Sequence, residues 1–289
     1  MLQHYGIQGS ILRWFADYLT NRQQYVKFAN AKSTSVENFH GVPQGSVLGP
    51  LLFIIYINDI ARVVKNCEIN LFADDAVLYF RCKNIDEAIG RVNADLRLLS
   101  TWMEMKHLKL NADKTEYVAF SSQRVYETQE MKINNECIRR VNSHKYLGVI
   151  LDERLKFDEH LNYVLKKTGR KFGVMCRLNK SLNVFSKITV YKSLVSPHFE
   201  YCATILFLLN QSQIYELQKH QNKCMRLILK CRFDTPIKSM LDCLGWMSVS
   251  QRIVLKVLLF IKDIKDKKVP EYLLNEVITS QEVHPLMTR

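Results

Sequence analysis

The feature that most restricts this chain is an acidic pair inside an apolar frame. Asp74 and Asp75 stand between two short apolar runs, residues 69–72 and 76–80, which read as the strands of a hairpin. Thirteen aspartates in 289 residues give about 0.6 adjacent pairs by chance, so adjacency alone means little. The setting carries the weight. Two like charges at the bend of an otherwise buried hairpin are costly unless neutralised, and a divalent cation is the usual remedy. The alternative is a solvated turn that happens to be acidic.

A second constraint lies just upstream. Residues 41–50, Gly41-Val42-Pro43-Gln44-Gly45-Ser46-Val47-Leu48-Gly49-Pro50, form a glycine-rich loop that ends at a proline suited to the first position of a helix. Glycine lets backbone approach a ligand closely, and a helix start offers free N–H groups. A plain strand-to-helix connection would look the same from the residues alone. From 50 to about 64 nearly every position is apolar except Asn58, Asp59 and Arg62, which predicts a helix buried over most of its circumference.

Around these two features the hydrophobic period changes along the chain. Residues 8–20 and 86–106 carry apolar residues at helical spacing, with Asp86 and Glu87 at the positive end of the second helix. Residues 24–29 and 36–40 suggest a hairpin, 117–120 and 146–151 suggest strands, and 133–137 suggests a tight turn between strands. Beyond Phe157 the pattern is helical, in segments near 158–180, 186–208, 212–230, 236–244 and 248–266. The expected class is α+β, with a boundary near 155: residues 1–155 mixed, residues 156–289 all-helical.

Composition narrows the partner. Lys and Arg total 41 against 28 Asp and Glu, a net charge of +13 with a pI near 9.3, which points to a polyanion and first to nucleic acid. Lys166, Lys167, Arg170 and Lys171 fall in one predicted helix, either to track phosphates or as a solvated face. The longest apolar stretch, 51–57, is far short of the ~20 residues of a membrane span. The first residues carry no secretory pattern, and the eight cysteines form no Cys-x-x-Cys pair. These features predict an intracellular protein, nuclear or cytoplasmic, with reduced thiols and no membrane association.

Taken in order, the run Gly41 to Gly45, the apolar helix after it, and Phe72-Ala73-Asp74-Asp75 resemble the palm of a reverse transcriptase of the non-LTR (LINE-type, jockey-like) retrotransposons. Further segments are similar: Tyr5-Gly6-Ile7 with Trp14 and Tyr18-Leu19; Leu110-Asn111 with Lys114-Thr115; Tyr146-Leu147-Gly148; and Tyr191-Lys192-Ser193-Leu194 with Pro197 and Tyr201. The resemblance implies a palm, an antiparallel sheet with packed helices, over 1–155, then a helical thumb and C-terminal extension. It implies RNA-directed DNA polymerisation on an RNA template and a DNA primer with deoxynucleoside triphosphates, through a two-metal magnesium site.

The same resemblance implies roles for individual residues. Asp74 and Asp75 would be the metal ligands, with Asp74 the one of greater weight. Gly41, Pro43, Gln44 and Gly45 would line the template and nucleotide pocket, and Lys114 would sit near the triphosphate. Tyr146, Leu147 and Gly148 would form the primer grip, with Lys166, Lys167, Arg170 and Lys171 along the nucleic-acid backbone. In such enzymes a third catalytic aspartate lies upstream of the segment matching Tyr5-Gly6-Ile7. The chain as given is therefore expected to lack that strand and most of the fingers, and to be inactive alone. The alternative reading is a non-catalytic nucleic-acid-binding or interaction protein derived from such an element.

Overall fold

The computed structural model describes residues 1–122, 126–271 and 273–274. They fall into two compact units, Met1–Ala119 with Gln123–Val141 (unit 1) and Phe120–Ser122 with Asn142–Arg289 (unit 2).

Unit 1 opens with α1 (Gly9–Leu19), followed by nested ladders: β1 (Arg22–Gln24) pairs antiparallel with β4 (Val36–Asn38), and between them β2 (Lys27–Phe28) pairs with β3 (Ala31–Lys32). Helix α2 (Gly49–Ile57) follows the glycine loop, and a 3-10 turn, Asn58–Arg62, continues it. Next come β5 (Glu68–Phe72) and β6 (Asp75–Tyr79), paired from Glu68↔Tyr79 to Phe72↔Asp75. Helix α3 (Ile85–Met105) is the spine of the unit. The Asn84 side chain accepts from the Asp86 N–H, satisfying one donor at its start. Its buried Ile89, Leu96, Leu99, Trp102 and Met103 meet Ile57, Ile60, Met131, Ile133 and Ile138 in one core. The short strands β7 (Glu116–Tyr117), β8 (Lys132–Ile133), β9 (Glu136–Cys137) and β10 (Arg139–Arg140) complete it; β8 pairs with β9 and β7 runs parallel to β10.

Unit 2 begins with the hairpin β11 (Ser143–Tyr146) and β12 (Val149–Asp152). It continues through α4 (Asp158–Arg177), α5 (Val184–Leu194), a 3-10 turn Ser196–Phe199, α6 (Ala203–Phe207), α7 (Gln211–Leu229), α8 (Ile237–Leu244) and α9 (Val249–Lys265). Capping boxes, Asn210 with Gln213 and Ser248 with Gln251, open α7 and α9. The core joins Phe157, Leu161, Met175, Tyr191, Phe199, Leu206, Leu217, Ile228 and Ile253. Each such buried side chain contributes roughly 1.5–3 kcal/mol. Tyr191 stacks on Trp246 at 4.3 Å between ring centroids.

The α+β class stands, with four differences from the sequence reading. First, the described strands form six two-stranded ladders rather than one antiparallel sheet, because each is closed by a local turn or a single short partner. Second, the apolar run 50–64 is α-helical to Ile57 and 3-10 helical from Asn58 to Arg62, and it leaves Leu51 and Ile54 exposed. Third, residues 146–151 are no single strand, since Leu147 and Gly148 both take positive φ and turn the chain back. Fourth, 186–208 breaks at Ser196-Pro197, where the proline has no N–H to continue the helix. The compact units divide at Val141–Asn142, and the β11–β12 hairpin packs on α4. Among the described residues no single helix is long and apolar enough to cross a membrane.

Candidate active site

The glycine loop of unit 1 is held at both ends. Arg22 of β1 donates to the carbonyl oxygens of Gly41 (2.6 Å) and His40 (3.1 Å), fixing where the loop leaves β4. At the far end the Ser46 N–H donates to the Pro43 carbonyl (3.3 Å), and the Gly49 N–H to Ser46 Oγ (3.0 Å). Gly49 is buried, and a Cβ there would lie 3.0 Å from Ser46 Oγ and 3.3 Å from the Pro43 carbonyl oxygen, so only glycine fits without rearrangement. Gly41 and Gly45 take φ of 75° and 77°, the left-handed region that glycine occupies at little cost. Between these anchors Gln44 and Gly45 are exposed, Pro43 is half-buried, and Val47 is 94% exposed. The loop is therefore a fixed frame with a free crest.

Asp74 and Asp75 lie at the tip of the β5–β6 hairpin. Ala73 and Asp74 are the two turn residues, and Asp75 begins β6 opposite Phe72. Ala73 takes φ 53°, uncommon for a residue with a Cβ. Both aspartates are exposed, and among the described residues neither carboxylate has a hydrogen-bond or ion-pair partner. The expectation of an otherwise buried hairpin is corrected here. Ile69 and Leu71 are half-buried, while Glu68, Asn70 and Phe72 (62%) alternate outward, as strand geometry requires. Water, rather than apolar surroundings, meets the two charges.

The strand that carries this tip is moored by a residue that motif reading missed. Asp95 of α3 is fully buried and accepts from the N–H groups of Lys65 (3.2 Å), Asn66 (2.8 Å) and Cys67 (2.7 Å), and from Asn66 Nδ2 (2.9 Å). Burial pushes its carboxyl up, but the N–H groups of Cys67 and Asn66 outweigh this and hold it below the usual range. The adjoining Cys67 thiol is pushed up to about 12, by burial first and then by its hydrogen bond to Asp95. An aspartate on the apolar stripe of α3, between Val92 and Leu99, was the available signal.

Lys114 ends a 3-10 turn, Ala112–Lys114, whose start is capped by Asn111 Oδ1 (3.2 Å from the Lys114 N–H). Its side chain is exposed and makes no ion pair with either aspartate. The donor chemistry at 74–75 suits magnesium: hard, unpartnered carboxylate oxygens that leave room for water and phosphate oxygens as further ligands. Among the described residues no cluster of three or more His, Cys, Asp or Glu could hold a metal.

Unit 2 holds the remaining candidates. The tip Leu147-Gly148 is pinned from the helical part, since the Tyr201 hydroxyl donates to the Leu147 carbonyl oxygen. Gly148 takes φ 90°, and a Cβ there would lie 3.3 Å from the Tyr201 ring. Tyr146 is half-buried at the end of β11. On α4, Lys166 and Arg170 are exposed, while Lys167 and Lys171 are half-buried. Asp152 grips the link into α4 by accepting from the N–H groups of Arg154 (3.1 Å), Lys156 (3.0 Å) and Phe157 (2.7 Å).

The reverse transcriptase (RNA-dependent DNA polymerase) family matches residues 2–151. The chain is 31% identical over 224 residues to a probable RNA-directed DNA polymerase from transposon X-element of Drosophila melanogaster, covering 75% of this chain and 24% of that protein. It is 28% identical over 222 residues to the RNA-directed DNA polymerase from mobile element jockey of the same species, covering 73% and 24%. It is 27% identical over 227 residues to the probable RNA-directed DNA polymerase from transposon BS, again of Drosophila melanogaster, covering 75% and 25%. The chain thus spans about a quarter of the length of these curated relatives.

Proposed function

Because this chain belongs to the reverse transcriptase family, which matches it over residues 2–151, we propose that it supplies part of the palm and the thumb of an RNA-directed DNA polymerase of a non-LTR retrotransposon. The palm comprises residues 1–155, and the thumb with a C-terminal extension 156–289. Its partners are an RNA template, a DNA primer and deoxynucleoside triphosphates, met inside the cell.

The observation that carries this reading is the β5–β6 tip, two adjacent carboxylates without protein partners on a strand moored by Asp95. Asp74 and Asp75 would hold magnesium, which when bound stabilises negative charge on the primer 3′ oxygen and on the departing pyrophosphate. The chain's own groups do the positioning. The 41–45 crest presents backbone and the Gln44 amide to template and nucleotide. Lys114 offsets triphosphate charge, and the pinned hairpin 146–148 sets the primer end.

Primer extension on an RNA template with magnesium tests this, using the chain carried behind the upstream part of a relative's polymerase. Asp74→Asn is expected to reduce extension on the order of a thousandfold or more, about 4 kcal/mol of transition-state stabilisation, because an amide is a poor, neutral magnesium ligand. Asp75→Asn should cost less. Full activity in the Asp74 variant would show the acidic turn to be structural. Nucleic-acid binding without any extension would favour a non-catalytic binding protein.

A further inference from the structure

Two elements of unit 2, β11 and α4, bring cationic groups together around one aromatic ring. Lys145 of β11 and Lys167 of α4 place their ammonium groups 4.8 and 4.6 Å from the centroid of the Tyr163 ring. Hydrogen bonds with Lys145 and Lys167 are the main cause that holds the Tyr163 phenol below its ordinary range. Lys171, one turn further along α4, and Lys167 both act on His198 of the 196–199 turn. Burial first, then these two charges, keep that imidazole below its usual value.

Among the described residues no carboxylate pairs with these lysines. Among the described residues none of Lys145, Lys167 and Lys171 forms an ion pair, and Glu159, one turn before Tyr163, accepts a hydrogen bond from Ser143 Oγ (2.6 Å). Gathering like charges is unfavourable, and an anion seated among them relieves the repulsion. The geometry also separates two sets of cations on one helix. At about 100° per residue, Lys166 and Arg170 lie on the outer, exposed side, whereas Lys167 and Lys171 lie toward the His198 turn and are half-buried.

We propose that Lys145 and Lys167, with Tyr163 as their shared support, and Lys171 one turn further along α4 form a phosphodiester-binding notch, and that this notch, rather than Lys166 and Arg170, carries the backbone contacts of unit 2. It rests on the polymerase reading only for the partner's being nucleic acid. Lys145 directly precedes Tyr146-Leu147-Gly148, so one backbone held in the notch would run past that pinned hairpin.

Binding of a labelled RNA–DNA hybrid to the full chain, measured by anisotropy across a salt series, tests the notch. The Lys145→Ala/Lys167→Ala double variant is expected to weaken binding about tenfold or more and to lower the salt slope by about two. Lys166→Ala/Arg170→Ala should change affinity by less than about threefold, since phosphate contacts made elsewhere are untouched. Lys145→Arg/Lys167→Arg keeps charge and should bind like the parent. Lys171→Gln, which leaves both ring contacts in place, should cost about threefold even if the alanine double variant melts early. Equal losses in the inner and outer pairs, or a parent that does not bind, overturn the proposal. Competition by tripolyphosphate as effective per phosphate as by the hybrid would assign the notch to a small anion and overturn the backbone source. The polymerase reading fails separately, by absent primer extension, and leaves this binding pattern unaffected.

Discussion

The turns at 73–74 and 147–148 close antiparallel hairpins of similar length, and the two are supported in opposite ways. At 147–148 both residues take positive φ, the arrangement whose twist matches paired strands. The Tyr201 hydroxyl fastens the tip, and His160 Nδ1 accepts from the Ile150 N–H (3.4 Å) below it. At 73–74 only Ala73 has positive φ, the carboxylates have no partners among the described residues, and the support lies at the far end of β5, through Asp95. On the proposed roles the contrast has a physical reason: a turn that positions a polymer can be locked by its own chain, whereas one that is to ligate a cation must keep its oxygen lone pairs open and take its precision from the strand behind it.

The largest stability effect should come from cutting that support. Asp95→Ala leaves the partly buried N–H groups of residues 65–67 without their acceptor and should cost about 2 kcal/mol. Amide exchange in 68–79 should accelerate while 143–152 stays protected; unchanged exchange in 68–79 would sever Asp95 from the acidic tip. A smaller effect, of opposite sign at the two turns, follows from glycine. Gly148→Ala should destabilise by about 1–2 kcal/mol through its left-handed backbone and the contact with Tyr201, whereas Ala73→Gly should stabilise by about 0.5–1 kcal/mol. Thermal melting of both variants checks the pair, and a like sign at both turns would break the contrast.

The smallest effect is in pH. Burial lowers the pKa of His160, so the unfolded chain binds its proton more readily, and stability falls as pH drops below about 6.5 toward the folded value. Asp95 behaves differently: its folded pKa is lowered, so its contribution persists at pH 5 and is lost only as pH falls through that lowered value. Between pH 7 and 5, protection should weaken in 143–152 and hold in 68–79 once intrinsic exchange is allowed for.

Much of this was legible from local pattern. The spacing of Ile89, Leu96, Leu99 and Met103 marked α3, and the paired Asn134 and Asn135, both at positive φ, sit in the expected turn. The acidic pair fell at a hairpin bend because Asp tolerates turn conformations between apolar runs. Even the outward side of that hairpin could have been read, since Glu68 and Asn70 alternate with Ile69 and Leu71.

The sequence by itself determined the α+β class, most helix positions, the order of the glycine loop and acidic pair, and membership of the reverse transcriptase family, because each resides in short-range spacing. Only the tertiary structure decided that Asp95 moors β5, that Tyr201 pins Leu147 across 54 positions, and that Lys145 joins Lys167 at the Tyr163 ring. These contacts join residues far apart in the chain, and which of many exposed polar groups meet is set by how helices and hairpins pack, a choice that no local period encodes.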